Sequence, residues 1–181
     1  MRFQENRRLA ALVLVAVVLL CTFISGGVGL SGQRRQASDA FFAVSESIWA
    51  DLNELGDNAT VLTSITRQYS SVDEALNQDV ESAVAVLRDL QQEGDVAAMY
   101  DASQTLTDCV EKLYTAGSAI DMRENEIQDF RYAYKNFSSA NLRISHDPYN
   151  DTAAAFNRLL SGFPANLIGL VCGVDQLDLF M

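Results

Sequence analysis

Apolar and polar residues follow a helical spacing along almost the whole chain. Residues 9–30 are the exception, since LAALVLVAVVLLCTFISGGVGL carries no charge and is mostly apolar. A helix rises ~1.5 Å per residue, so this run would be roughly 33 Å long, against a hydrocarbon core of ~30 Å. We therefore predict a transmembrane anchor over 9–30, with the lipid bilayer as its partner.

Residues 1–8 form a basic N-terminal tail that contains Arg2, Arg7 and Arg8. A cleavable signal peptide also begins this way, but its apolar region usually runs only ~7–15 residues. The run from Leu9 to Ile24 is already longer than that, so an uncleaved signal-anchor is predicted, with cleavage near 25–31 as the alternative. The chain is expected to be a single-pass protein of the cell membrane.

The side of the membrane follows from the basic residues that flank the anchor. Three Arg precede the run, whereas Arg34 and Arg35 follow it. The positive-inside rule counts such residues and favours the more basic flank in the cytoplasm. The pattern thus weakly favours a body outside the cytoplasm.

Glycine is concentrated just after the apolar run, at Gly26, Gly27, Gly29 and Gly32. Each glycine weakens a helix by ~1 kcal/mol. We expect a flexible joint at the membrane surface, and residues 31–40 are interpreted as a Gly/Ser-containing joint.

The body, residues 41–163, shows apolar residues at helical intervals. A seven-residue apolar repeat is typical of a helix that faces a partner helix. Here the repeat consists of Phe41, Ile48, Leu55, Leu62 and Tyr69, with Val44, Leu52 and Ile65 between them. The repeat predicts one helix of roughly 35 residues, weakened near Gly56. Further helices are predicted to follow a capping box at Ser71–Glu74, an N-cap at Asp95 and a start near Asp121.

Asp147 and Pro148 predict a last helix, because Asp is a good N-cap and Pro suits the first helical position. On the preceding helix Asn141 lies in an otherwise apolar series, where it would fix register, lie at the rim or contact a ligand. Strand-like alternation is absent. The expected fold is all-α, an up-and-down antiparallel bundle of long helices.

Aromatic residues recur at intervals of seven after Pro148. The three pairs are Tyr149-Asn150, Phe156-Asn157 and Phe163-Pro164. Helical spacing puts the aromatic residues on one stripe, and Phe163-Pro164 is expected to end the helix. The asparagines would bond neighbouring groups.

This stretch resembles the C-terminal region of the LemA family of membrane-anchored bacterial proteins, which carries repeated Tyr-Asn pairs, then Phe-Pro and an apolar tail. The resemblance implies antiparallel helices on an N-terminal anchor, with Tyr149, Asn150, Phe156, Asn157, Phe163 and Pro164 as a packing or interaction signature. It implies no reaction, and it implies an N-terminus outside the cell. This chain departs from the pattern by a break at 146–148 and by Phe at 156.

Residues 164–181 form an apolar C-terminal tail. Its apolar part, 165–174, is too short to span a bilayer. It could pack on the bundle, rest at the membrane interface or dock a partner.

Charge excludes one class of partner. Residues 31–181 carry a net charge of −13, from 10 basic and 23 acidic residues. Nucleic acid is therefore an unsuitable ligand, since binding it requires a basic surface.

No constellation of catalytic or metal-ligating residues stands out in the sequence. His146 is the sole histidine, Cys109 and Cys172 are the body's only cysteines, and Glu124, Glu126 and Asp129 are expected on an exposed helical face. We expect a non-enzymatic protein without cofactor or metal, acting as an interaction or scaffold module for an unknown protein or for a second copy. The alternative is a sensor or small-ligand-binding bundle, in which Asn141, Tyr134 and Tyr149 would line the gap.

Overall fold

The computed structural model describes residues 2–181, except for the side chains of residues 2–6 and 8. Met1 lies outside the described residues, and with it part of the predicted basic tail over 1–8. The described residues form helices and no strands, which confirms the all-α class. The helices are α1 (Arg2–Phe42), α2 (Ile48–Thr66), α3 (Glu74–Glu93), α4 (Val96–Ser118), α5 (Glu124–His146), α6 (Tyr149–Ser161) and α7 (Ala165–Cys172).

The chain divides into two compact units. The first comprises Met1–Asp39 with Asp151–Leu177, and the second comprises Ala40–Asn150 with Asp178–Met181. We call them the anchor unit and the bundle unit.

In the bundle unit, α2 packs against α3, α4 and α5, and α3 packs against α4. The predicted repeat supplies the core on α2, where Ile48, Leu52, Leu55 and Leu62 are fully buried. Between α4 and α5, Tyr114 stacks on both Phe130 and Tyr134. These ring contacts join α4 to α5.

Local capping signals set most helix boundaries in this unit. Asp95 accepts a hydrogen bond from the Ala98 amide, as the sequence predicts. At α3 the capping residue is Asp73, not the expected Ser71, because the Asp73 carboxylate accepts from the Ala75 amide.

The long first body helix of the prediction is wrong, because the chain breaks between α1 and α2. Ser47 caps α2 through a hydrogen bond from the Ala50 amide, and Glu46 adopts a left-handed φ of 54°. Phe41 and Ile48 are both buried, so the seven-residue spacing survives the break. Val44, expected in the repeat, lies in the break and is exposed.

In the anchor unit the expected joint is helical. Residues 25–40 continue α1 without interruption. Two of the glycines lie in a tight helix contact: a Cβ atom on Gly26 would approach Ile168 Cδ1 to 2.7 Å, and one on Gly27 would approach Cys172 Sγ to 2.4 Å. Glycine allows α1 and α7 to pack closely here, which offsets its weak helix propensity.

One helix is long and apolar enough to cross a membrane, within the part of the chain that the structure describes. This segment covers Leu9–Phe41, with a hydropathy of 2.7 in its most apolar window. Every side chain from 9 to 22 is exposed.

Candidate functional site

The residues of the C-terminal signature lie on and just after α6. Asp147 caps this helix, since its carboxylate accepts a hydrogen bond from the Tyr149 amide at 2.8 Å. This cap follows the sequence prediction. It places Tyr149 and Asn150 in the first turn of α6, within the bundle unit.

Asn150 binds the backbone of the C-terminal tail. Its Nδ2 donates to the Phe180 carbonyl at 2.7 Å, and its Oδ1 accepts from the Phe180 amide at 2.8 Å. A side-chain amide has the same donor and acceptor pair as a peptide group, so it pairs with one residue of backbone. We call this pair of bonds the Asn150 clamp.

Asn157 makes the same pair of bonds in the anchor unit. Its Nδ2 donates to the Leu177 carbonyl, and its Oδ1 accepts from the Leu177 amide, both at 2.8 Å. We call this pair the Asn157 clamp. Each clamp fixes a backbone position of the tail independently of the side chain at that position.

Aromatic rings enclose the side chain of Phe180 in the bundle unit. Its ring centroid lies 5.3 Å from that of Tyr100 and 5.8 Å from that of Phe41. Tyr149 packs on Phe41 at 4.8 Å, and its hydroxyl donates to the Asp178 carbonyl at 2.7 Å. The bundle unit therefore holds the chain end by both backbone bonds and ring contacts.

The remaining signature residues differ in exposure. Phe156 is buried in the anchor unit, as expected for the aromatic stripe. Phe163 is 82% exposed and lies with Pro164 between α6 and α7. The stripe of aromatic packing thus ends before Phe163.

A second polar cluster lies in the bundle unit around Glu126, and here an expectation is wrong. Glu126 is buried rather than exposed, because it begins the inward face of α5. Tyr69 and Arg123 both donate to its carboxylate, and Arg123 also donates to Gln68 at 3.0 Å. The bonds from Arg123 and then Tyr69 lower the pKa of Glu126.

The sole histidine of the chain borders an open cleft of about 540 Å³ in the bundle unit. Arg143 lies in this cleft and donates to Asp51 at 2.8 Å and to Glu54. The bond to Asp51 raises the pKa of Arg143. One guanidinium bonds two carboxylates, so the group keeps a net charge of −1 and links α5 to α2.

The three residues proposed to line a ligand gap are not brought together. Tyr134 stacks on Tyr114, whereas Tyr149 packs on Phe41. Asn141 is half-buried at the edge of α5, which fits the rim position among its alternatives. Among the described residues, no group of three or more His, Cys, Asp or Glu side chains is placed to hold a metal ion.

No protein-family model, no curated protein and no solved structure matches this chain.

Proposed function

We propose that this protein is a membrane-anchored, non-enzymatic helical bundle of the LemA type that serves as an interaction or scaffold module. The observation that carries the proposal is the exposed apolar stretch of α1 over 9–22, which has no protein partner within its own unit. Such a surface is unfavourable in water and is stabilised by lipid. The bundle unit then has the role of binding another protein or a second copy.

The LemA assignment is supported by the use that the chain makes of its signature. Asn150 and Asn157, seven residues apart, both bind tail backbone. If the chain is of the LemA type, the repeated Asn has a structural role, because each Asn holds the backbone of one residue of the C-terminal tail.

Extraction of membranes tests the anchor. The full chain should remain with the bilayer at alkaline pH and should be released by detergent. Release at alkaline pH without detergent would contradict the proposal.

Chemical cross-linking in intact membranes tests the interaction role. We expect a discrete cross-linked species of constant stoichiometry, either with a distinct protein or with a second copy. A body that remains monomeric and without partners at native abundance would rule out a scaffold.

A small-ligand-binding bundle is the second candidate, and the cleft beside Arg143 and His146 favours it. Binding stabilises the folded state. Four carboxylates, those of Glu46, Asp51, Glu54 and Asp147, line this cleft with Arg143, so a screen of small cationic metabolites should raise the melting temperature of the wild type but not that of Glu54→Gln. Equal shifts in both proteins, or none, would count against this site.

A further inference from the structure

The short helix α7 presents an apolar surface to its surroundings. Leu170 is 82% exposed and Val171 is 68% exposed, and Phe163, just before the helix, is 82% exposed. Residues 159–174 contain no charged side chain. Water-exposed helices normally carry polar residues on the outer face, so this surface indicates a partner that is itself apolar.

The opposite face of α7 is held against α1 within the anchor unit. Ile168 and Cys172 contact the glycine pair Gly26 and Gly27, and the Cys172 thiol lies 3.6 Å from the Phe23 carbonyl. The second half of α7, from Ile168 to Cys172, therefore lies at the level of residues 23–27 of α1, and its start lies beside Gly29, Leu30 and Gln33.

The thickness of the hydrocarbon core indicates where this part of α1 lies relative to the lipid. The wholly exposed residues 9–22 of α1 cover only 14 positions, or ~21 Å of helix, whereas a hydrocarbon core of ~30 Å requires ~20 residues. Counted from Leu9, twenty residues end at Val28. The part of α1 that contacts Ile168 and Cys172 thus falls inside the edge of the hydrocarbon, provided that α1 spans the membrane as proposed above.

The neighbouring surface of α1 favours lipid as the occupant. Ile24 and Val28 are exposed beside α7 and continue the apolar surface of residues 9–22. The first charged residue after the run is Arg34, whose Nε donates to the Asp175 carbonyl at 3.0 Å, just past the end of α7. An arginine at this point suits the headgroup layer, where long basic side chains reach the polar region.

The length and bonding of α7 suit an interfacial position. Eight residues span ~12 Å, too little to cross the bilayer. A helix keeps its backbone groups paired, as a lipid environment demands. A cleft of about 400 Å³, lined partly by Leu30, Leu159 and Phe163, lies beside it and is open to an acyl chain.

We propose that α7, together with Phe163, is embedded in the lipid layer beside α1 and forms a second membrane contact of this protein. This inference rests on the proposed anchoring by α1. Its partner is the acyl region of a bilayer leaflet, not a second protein.

Spin labelling of the full-length protein in phosphatidylcholine vesicles tests the proposal. The three cysteines are replaced by serine, and single cysteines are introduced by Leu170→Cys, Val171→Cys, Val15→Cys and Gln36→Cys in separate proteins. The vesicles carry on average far fewer than one chain each, so almost none holds a second copy that could cover the label. Collisions with oxygen, which dissolves in lipid, are compared with collisions with a water-soluble nickel complex.

The labels at Leu170 and Val171 should give an oxygen-to-nickel ratio severalfold above that at Gln36 but below that at Val15, because α7 lies nearer the edge of the hydrocarbon than Val15 does. The Val15 label reports the anchor itself, and Gln36 is the exposed water reference on α1. A high ratio at Val15 with Gln36-like ratios at both α7 positions would overturn the α7 contact alone. Low ratios at Val15 as well would overturn the anchoring and the α7 contact together. Shielding of the α7 labels from both reagents would show a protein contact and would also overturn the proposal.

Discussion

Asparagine side chains fix two backbone positions of the C-terminal tail. The Asn157 clamp pairs both polar groups of Leu177, and the Asn150 clamp pairs both polar groups of Phe180. The tail itself has no regular secondary structure from Val174 onward. Its order therefore depends on bonds that single side chains supply.

Replacement of Asn157 by alanine should release the tail near Leu177. Two hydrogen bonds are lost, and each contributes about 0.5–1.5 kcal/mol. Amide hydrogen exchange at Leu177 should accelerate strongly, while helix amides elsewhere keep their protection. Asn157→Asp keeps the acceptor for the Leu177 amide but places a charged oxygen against the Leu177 carbonyl, so exchange at Leu177 should accelerate in this variant as well. Unchanged exchange in Asn157→Ala would show that the clamp does not hold the tail.

Glycine at position 117 is required by the ring of Phe130. A Cβ atom there would lie 2.5 Å from Phe130 Cζ, and that ring is already stacked on Tyr114. We expect Gly117→Ala to lower the free energy of unfolding by about 1–3 kcal/mol, as overpacked cores do. Denaturation by urea in detergent measures the change.

Gly56→Ala is the control for this substitution. Gly56 lies inside α2, and the nearest atoms to its added Cβ would be 3.8 Å away. Here alanine should stabilise the helix by up to about 1 kcal/mol, because only the helix propensity changes. Equal effects at both glycines would contradict the packing argument.

The buried carboxylate of Glu126 predicts a dependence of stability on pH. Its pKa is lowered from the ordinary value of 4.5 by the bonds from Arg123 and Tyr69. A lowered folded-state pKa stabilises the protein above about pH 4.5, and this contribution is lost as the pH falls further through the folded-state pKa. Wild type should thus exceed Glu126→Gln in unfolding free energy at pH 7, and the difference should shrink below about pH 4.5.

Glu124→Gln provides the matched comparison, since Glu124 is exposed on the same helix. Its difference from wild type should stay small at every pH. A Glu126→Gln difference that persists unchanged at pH 3 would show that the charge of Glu126 is not what stabilises the cluster.

Among the helices, those of the bundle unit are largely predictable from local signals. The cap at Asp95, the left-handed Gly94 and the start after Asp147 depend on residues within one turn of the boundary. The break at 43–47 escapes such reasoning, because Phe41 and Ile48 keep the seven-residue spacing across it. The buried position of Glu126 also escapes it, since a charged residue predicts exposure unless its partners are known.

Contacts between distant segments explain the other differences between the predicted and the observed structure. Gly26 and Gly27 predict flexibility when α1 is considered alone, and only α7, some 140 residues later, makes them a packing surface. The partners of the two asparagines were likewise out of reach of local reasoning. One signal was available: Val174, Leu177 and Phe180 are apolar at every third position, and three extended residues reach ~10 Å, close to two helix turns.

Packing of α7 on α1 should fail when the glycine pair is altered. Gly27→Leu places a large side chain against Cys172, because a Cβ atom there already lies 2.4 Å from Cys172 Sγ, whereas a Cβ atom at Gly29 meets nothing within 4 Å. Cys172 is exposed as a residue, but its Sγ faces Gly27 and the Phe23 carbonyl. We expect its thiol to react several times faster with a thiol reagent in Gly27→Leu than in Gly29→Leu, both in a Cys21→Ser, Cys109→Ser background. Equal labelling rates in Gly27→Leu and Gly29→Leu would show that the packing of α7 on α1 does not depend on Gly27.

For the whole molecule, the flanking arginines predict a body outside the cytoplasm, whereas the LemA resemblance implies the reverse. A single cysteine at exposed Val86, in a cysteine-free chain, should react with a membrane-impermeant maleimide in intact cells. Reaction only after lysis would place the body inside and favour the family orientation.

The glycine contact between α1 and α7 also affects how a water-soluble fragment of this protein should be cut. Deletion of residues 1–30, the usual way to remove an anchor, also removes Phe23, Gly26 and Gly27, which contact α7. Ile168 would then become exposed, in addition to Leu170 and Val171, which are exposed already. The shortened protein should therefore aggregate when expressed. Detergent, or a deletion that takes α7 away together with the anchor, is the expected remedy.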